Sequence, residues 1–430
     1  MAQETREQKK APQQRGIESQ QYIDDEWGRK IGLLSPQIAA EPNNVALLLA
    51  RGEALLRARL FDGSHDTPNA FLDFQKAAEI NPKDPAAWVG MARAITRSEL
   101  PQNGAEAANF EAKKRAYLQK ALDLNPQFAP SLVEMGWMEW EGATGGVAPL
   151  SRLASIVKPS PENTAQLKKA GILAEEALQI DAQSGRAWLL KAEVLADSNR
   201  ARDALEAYKT SLALDAVPAR EALKARVDAF DATEASADAL LYLAVLEPLE
   251  QPVPPDFYAL RARAKFRLQD WEGAAADTDK AVESAGRGAR RAAMLVLRGQ
   301  LKLQQNDPVG AKTDFEAAYA ADPKNLDALD VLRQIYAAQG NFTASIRVSN
   351  QLLEQRSDAH QVRFLLAMLL AFTGDMEGSK AAYEASVSQV SRRDVENQLQ
   401  DVTKNLKKAP TFEPLLQAQR ILQQELTKRG

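Results

Sequence analysis

The chain has 430 residues, with 54 Lys and Arg against 58 Asp and Glu, a formal net charge of −4, two His and no Cys. The near balance of charge excludes a basic surface large enough to hold a phosphate backbone, so nucleic acid is not an expected partner. Without Cys there is no disulfide, thiolate nucleophile or zinc ribbon. His65 and His360 stand far apart, with no acidic or His neighbour at metal-ligand spacing. No metal or cofactor is expected, and both His are expected at the surface.

No apolar run approaches the roughly 18 residues that a membrane span needs, and residues 1–10 are too polar for a signal peptide. If Met1 is the natural start, a cytoplasmic protein is expected; removal of an export signal ahead of it would make the chain periplasmic or exported instead.

Residues 1–16 are rich in Lys, Gln, Glu and Arg and almost free of apolar side chains, so a disordered tail is expected. Residues 17–44 read as an N-terminal capping helix. From Val45 onward the text repeats: an apolar helical stretch, a short turn, a second helical stretch, then a phrase ending in Asn81-Pro82, Asn125-Pro126 or Asp322-Pro323. Proline cannot continue a helix and biases the preceding residue away from helical angles, so each phrase marks a helix end. Repeats fill residues 45–218, a degenerate helical stretch carrying Tyr242 covers 219–254, and repeats resume over 255–393. The stripe Val395, Leu399, Val402 and Leu406, followed by Leu415, Ile421, Leu422 and Leu426, predicts two capping helices over 394–430. The same stripe could serve dimerisation.

The repeat resembles the tetratricopeptide repeat, a 34-residue helix-turn-helix unit with large residues at repeat positions 4 and 11, small ones at 8, 20 and 27, and an aromatic at 24. In the unit starting at Gly185, Trp188, Ala192, Leu195, Ala204 and Tyr208 fall on pattern. In the unit starting at Ala292 the matches are Leu295, Gly299, Ala311, Phe315, Ala318 and Pro323, and only Lys302 at position 11 departs. Units at Leu326 and His360 follow at the same 34-residue spacing, with Ser at position 20 in both, and a weaker unit starts at Pro255. The resemblance implies an all-α, right-handed α-α superhelical solenoid whose function is to bind protein.

The first half departs from the period by 6, 10 and 22 residues in three successive units, near the turn between paired helices. The longest excess, residues 141–163, carries Leu150, Leu153, Ile156 and Val157 and reads either as a docking loop or as lengthened helices with a loop that plugs its own repeat.

In the family, positions 2, 5, 6, 9 and 13 of the first helix line the peptide-binding face. Position 9 here is Glu53, Arg93, Trp137, Glu193, Arg263, Gln300, Gln334 and Met368, and position 13 includes Arg57, Arg97, Asp197, Arg267 and Phe372. The resemblance thus makes Arg93, Arg97, Trp137, Arg263, Arg267, Phe364, Met368 and Phe372 the candidate partner-binding residues. Arg93 with Arg97, and Arg263 with Arg267, could clamp a carboxylate, or each Arg could pair with an acidic residue of a neighbouring repeat. Phe364, Leu365, Met368 and Phe372 make the last unit apolar, to be covered by a partner helix or by the chain itself. Lys and Asn do not stand where chaperone-tail binders of this fold place them. No Walker lysine motif, GxSxG elbow, HExxH or dinucleotide fingerprint occurs. The expected function is a non-enzymatic scaffold for a peptide segment or partner subunit, with a self-assembling homo-oligomer or a regulatory subunit of an enzyme complex as alternatives.

Overall fold

The structure, a computed structural model, describes residues 15–62, 67–95, 104–145, 160–388, 390–407 and 410–429, and all regular elements among them are helical. The chain divides into two compact units, residues 1–253 and 254–430.

In the first unit, α1 (Arg15–Ala40) precedes five hairpins. These are α2 (Val45–Asp62) with α3 (Thr67–Ile80), α4 (Pro85–Ala94) with α5 (Gly104–Leu124), α6 (Ala129–Thr144) with α7 (Pro161–Ile180), α8 (Gly185–Asp197) with α9 (Ala201–Leu214), and α10 (Ala216–Ala232) with α11 (Ser236–Leu246). In the second unit, α12 (Pro255–Arg267) pairs with α13 (Trp271–Ser284), α14 (Ala289–Gln304) with α15 (Pro308–Ala321), α16 (Leu326–Ala338) with α17 (Phe342–Gln355), and α18 (His360–Phe372) with α19 (Met376–Val387), before α20 (Arg392–Leu406) and α21 (Glu413–Lys428). Within each unit a hairpin packs on the next, which makes each an α-solenoid.

Local chemistry sets the turns. Between hairpins, the side chains of Asn125, Asp181 and Asp322 each accept a bond of 3.0 Å from the backbone N–H two residues on, so the polar residue closes the turn. Trp88 and Trp188, at position 4, donate from the indole to the carbonyls of Pro82 (3.0 Å) and Ala182 (2.9 Å) in the same turns. Inside the hairpins, left-handed residues such as Gln269 (φ 64°), Asn306 (φ 60°) and Gly374 (φ 91°) lead into Asp270, Asp307 and Asp375. Those three carboxylates cap the second helix by accepting from the N–H of Gly273, Gly310 and Gly378.

The interior alternates bulky and tiny side chains. Tyr208 and Phe315 at position 24 are fully buried, as are Ala204, Ala311 and Ala318. Phe74 lies between two glycines: a Cβ on Gly52 would stand 2.7 Å from its ring, and one on Gly90, in the following hairpin, would collide with it. Gly90→Ala should therefore lower the stability of the first unit by about 1–3 kcal/mol, the range for overpacking a filled core. Urea denaturation followed by tryptophan fluorescence measures this, because five of the six Trp lie before residue 253.

Several departures from the pattern have physical reasons. Lys302, where an apolar residue was expected, sits 2.7 Å from the buried Asp314, which also takes two bonds from Arg298. Lys265, Arg261 and Asp277 repeat that triad one hairpin earlier, and Arg51 grips Asp73 with two bonds in the first hairpin. Burial pushes the Asp277 carboxyl up, but bonds from Arg261 and Lys265 outweigh it and hold it below its usual range. Ser345 at position 20 is buried because its hydroxyl donates to the Arg333 carbonyl (2.7 Å).

The excess residues of the first half go partly into longer helices: α5 has 21 residues and α7 has 20, against 14 in α15. Leu150, Leu153, Ile156 and Val157 lie outside the described residues, as do His65, Arg97 and residues 1–14 of the expected tail. Arg15 and Gly16, also assigned to that tail, begin α1.

Candidate partner-binding surfaces

Successive first helices of the first unit are joined by a ladder of ion pairs. Arg93 of α4 reaches back to Glu53 of α2 (2.6 Å) and forward to Glu134 of α6 (3.4 Å), and Glu134 takes Arg186 of α8 at 2.6 Å. Arg57 of α2 reaches Asp215, just before α10, at 3.4 Å. These side chains line a cavity of about 260 Å³ in which three guanidiniums meet three carboxylates. Burial pushes the Glu134 carboxyl up, but the Arg186 and Arg93 guanidiniums more than offset this and hold it below the usual carboxylate range.

A depressed carboxyl contributes stability that is fully present above the unfolded value, about 4.3 for Glu, and is lost as pH falls through the lower folded value. The denaturation midpoint of the first unit, read by tryptophan fluorescence, should therefore fall below about pH 4.3, and Glu134→Gln should flatten that slope. An unchanged slope would remove Glu134 from the account.

Deeper in this unit, Arg226 of α10 is buried between Glu193 and Asp197 of α8. Glu193 also accepts from the Tyr208 hydroxyl (2.6 Å), and Asp197 accepts from the Trp140 indole (2.9 Å). Burial and the Glu193 charge push the Tyr208 hydroxyl well above its ordinary value, so it remains a donor. This network accounts for the weak sequence pattern of residues 219–250: α10 is fixed by a buried guanidinium, with Tyr242 packed edge-on against Tyr208 and Phe230.

In the second unit, α16, the turn into α18, α18 itself and the start of α20 enclose an open groove of about 970 Å³. Asp327, Asp330 and Gln334, at positions 2, 5 and 9, come from α16, while Gln361, Phe364 and Leu365, at positions 2, 5 and 6, come from α18. Val390, Asp394, Asn397 and Gln398 form the remaining wall. α21 approaches α18 and α19 more closely than α20 does, and α20, whose Val395 and Val402 join the same apolar cluster as Phe364, stands beside the groove. The turn before α20 is fixed from the chain end, where Arg429 donates to the Val390 carbonyl (2.6 Å).

Two family models described as Tetratricopeptide repeat match residues 302–369 and 360–389, which include the α16 and α18 sides of this groove but not its α20 wall. The 34-residue spacing of the units at Ala292, Leu326 and His360 falls in the same stretch. Residues 302–389 of the chain are tetratricopeptide repeats. Comparison with curated proteins finds no match. Among solved structures the chain is similar to YrrB, a tetratricopeptide protein with an unusual peptide-binding site (12% identity, 50% of this chain and 91% of that one, TM-score 0.27). It is also similar to TTC0263 of Thermus thermophilus (13%, 60% and 100%, TM-score 0.29) and to pilF of Pseudomonas aeruginosa (15%, 67% and 97%, TM-score 0.31).

Within the tetratricopeptide units, the candidate residues do not form one exposed face. The Arg93 guanidinium is held by Glu53 and Glu134, so of the two alternatives, a carboxylate clamp or pairing with neighbouring repeats, it takes the second. Trp137 is half-buried, edge-on to Trp140, with the Arg186 guanidinium over its ring. Arg263 is half-buried and Arg267 exposed, and neither is free. Phe364 is buried and Met368 partly buried in a cluster with Val395, Val402, Leu415 and Leu422, so the chain itself covers much of the expected apolar face. Phe372 is 46% exposed but stacked between Phe342 and Phe412. His360, expected at the surface, is half-buried at the groove. No helix among the described residues is long and apolar enough to cross a membrane.

The sequence reading missed Arg226 and the α20 wall. Recurrence of Arg at position 7 with Asp at position 23, as in Arg261 with Asp277 and Arg298 with Asp314, was a legible sign of the buried pairs.

Proposed function

We propose that the chain is a non-enzymatic scaffold that holds a peptide segment of a partner protein in the groove between α16, α18 and α20. A tetratricopeptide protein is a protein-interaction scaffold; the choice of groove rests on one observation. The cavity of about 970 Å³ is lined by positions 2, 5, 6 and 9 of two consecutive repeats and is open, whereas the charged side chains around the smaller cavity of the first unit pair with one another. Its volume lies at the upper end of the range for ligand clefts. In the same proposal, residues 17–44 and 394–430 act as caps of the repeats at 45–218, 219–254 and 255–393.

The test places a photo-crosslinking side chain at Gln334, in the groove, and in a second protein at the exposed Glu206 of α9. After irradiation in source-cell lysate, one partner should attach at Gln334 and not at Glu206. Equal labelling at both positions would refute the groove assignment.

A further inference from the structure

The charge of this groove specifies what it takes. Its lining carries four carboxylates, Asp327, Asp330, Asp358 and Asp394, against two guanidiniums, Arg333 and Arg356. Arg333 is already engaged, donating to Asp330 at 2.6 Å and 2.9 Å, and Arg356 lies 4.0 Å from Asp358 in an exposed pair. Among the described residues Asp327 has no ion pair and no side-chain hydrogen bond, although it lies in the first turn of α16 where the groove begins. The Nδ1 atom of His360, in the same lining, is buried without a hydrogen-bond partner. The cavity of the first unit has the opposite character: its three carboxylates and three guanidiniums balance and pair. Apolar surface is also present in the groove, from Leu326, Leu365 and Val390.

We infer that the groove of the second unit accepts an extended peptide carrying a Lys or Arg next to an aliphatic side chain. The cation lies against Asp327 and Asp358, and the aliphatic group lies on Leu365. This inference rests on the groove reading above and adds the chemistry of the partner. A cationic side chain compensates the surplus carboxylates in a cleft with low-dielectric walls, while an acidic peptide adds like charge to them.

The test uses the full chain and three series of fluorescent heptapeptides, identical except that the residues flanking a central Leu are Lys, Gln or Glu. Fluorescence anisotropy should give the Lys series at least about tenfold tighter binding than the Gln series, with the Glu series weakest. Raising salt from about 50 to about 300 mM should erode that preference. Asp327→Asn with Asp358→Asn, both at exposed positions, should abolish it without loss of helical circular dichroism. Gln334→Trp, also at an exposed position, should block every series that uses the groove. Gln or Glu peptides that bind as tightly as Lys peptides and are blocked by Gln334→Trp would overturn the cation preference and leave the groove standing. Binding that ignores Gln334→Trp, or no binding in any series, would overturn both.

Discussion

Arg226→Ala should lower the stability of the 1–253 unit by about 3–5 kcal/mol, because it strands two carboxylates that one buried guanidinium now satisfies. The Arg226 side chain is 8% exposed and that of Glu193 is 5% exposed, so water cannot replace the lost partner without local opening. Denaturation followed by tryptophan fluorescence is a direct readout, since the Trp140 indole donates to Asp197 at the edge of the same network. The cost belongs to breaking the network, not to its net worth. Replacing Arg226, Glu193 and Asp197 together by Met or Leu should therefore recover part of the loss, the remainder belonging to the Tyr208 hydroxyl and Trp140 indole that then lose their acceptors. If the single and triple variants were equally unstable, side-chain packing and not charge would hold α10 in place.

Phe315→Ala should cost the 254–430 unit about 3–5 kcal/mol, the range for truncating a buried aromatic. Phe315 has no exposed surface, and a Cβ on Gly299 would stand 3.0 Å from its ring, so the ring fills the space that the glycine leaves open. The cluster around it joins side chains of α12 through α18, among them Ala259, Val282, Leu329, Val348 and Val362. Chemical denaturation followed by circular dichroism measures the loss, and a change below about 1 kcal/mol would mean that the ring is not packed as described.

The hairpins and their registry were readable because they rest on local rules. Proline after Asn or Asp ends a helix, and a small residue at position 8 or 20 admits an aromatic at 24, so Tyr208 and Phe315 could be placed from the sequence. Arg93 could not be resolved, since its partners Glu53 and Glu134 are 40 and 41 positions away and nothing in the local text separates a clamp from a ladder. Arg226 was hidden for a related reason: a lone Arg in an amphipathic helix reads as a solvated charge until the helix above supplies carboxylates. The α20 wall depends on which of two amphipathic helices docks on α19, and both carry a suitable apolar stripe. Phe364 and Met368 read as an apolar surface to be covered by a partner helix or by the chain itself, and side chains of the chain's own last helices pack on them.

The central claim is that successive hairpins in each unit share one interior, so that damage in one loosens its neighbours. Hydrogen exchange read by mass spectrometry on the Phe315→Ala chain tests it most directly. The account predicts faster exchange in α14 and α15 and also in α13, α16 and α17, whose side chains meet around that ring. Acceleration confined to residues 308–321, with α13, α16 and α17 as protected as in the unaltered chain, would contradict it.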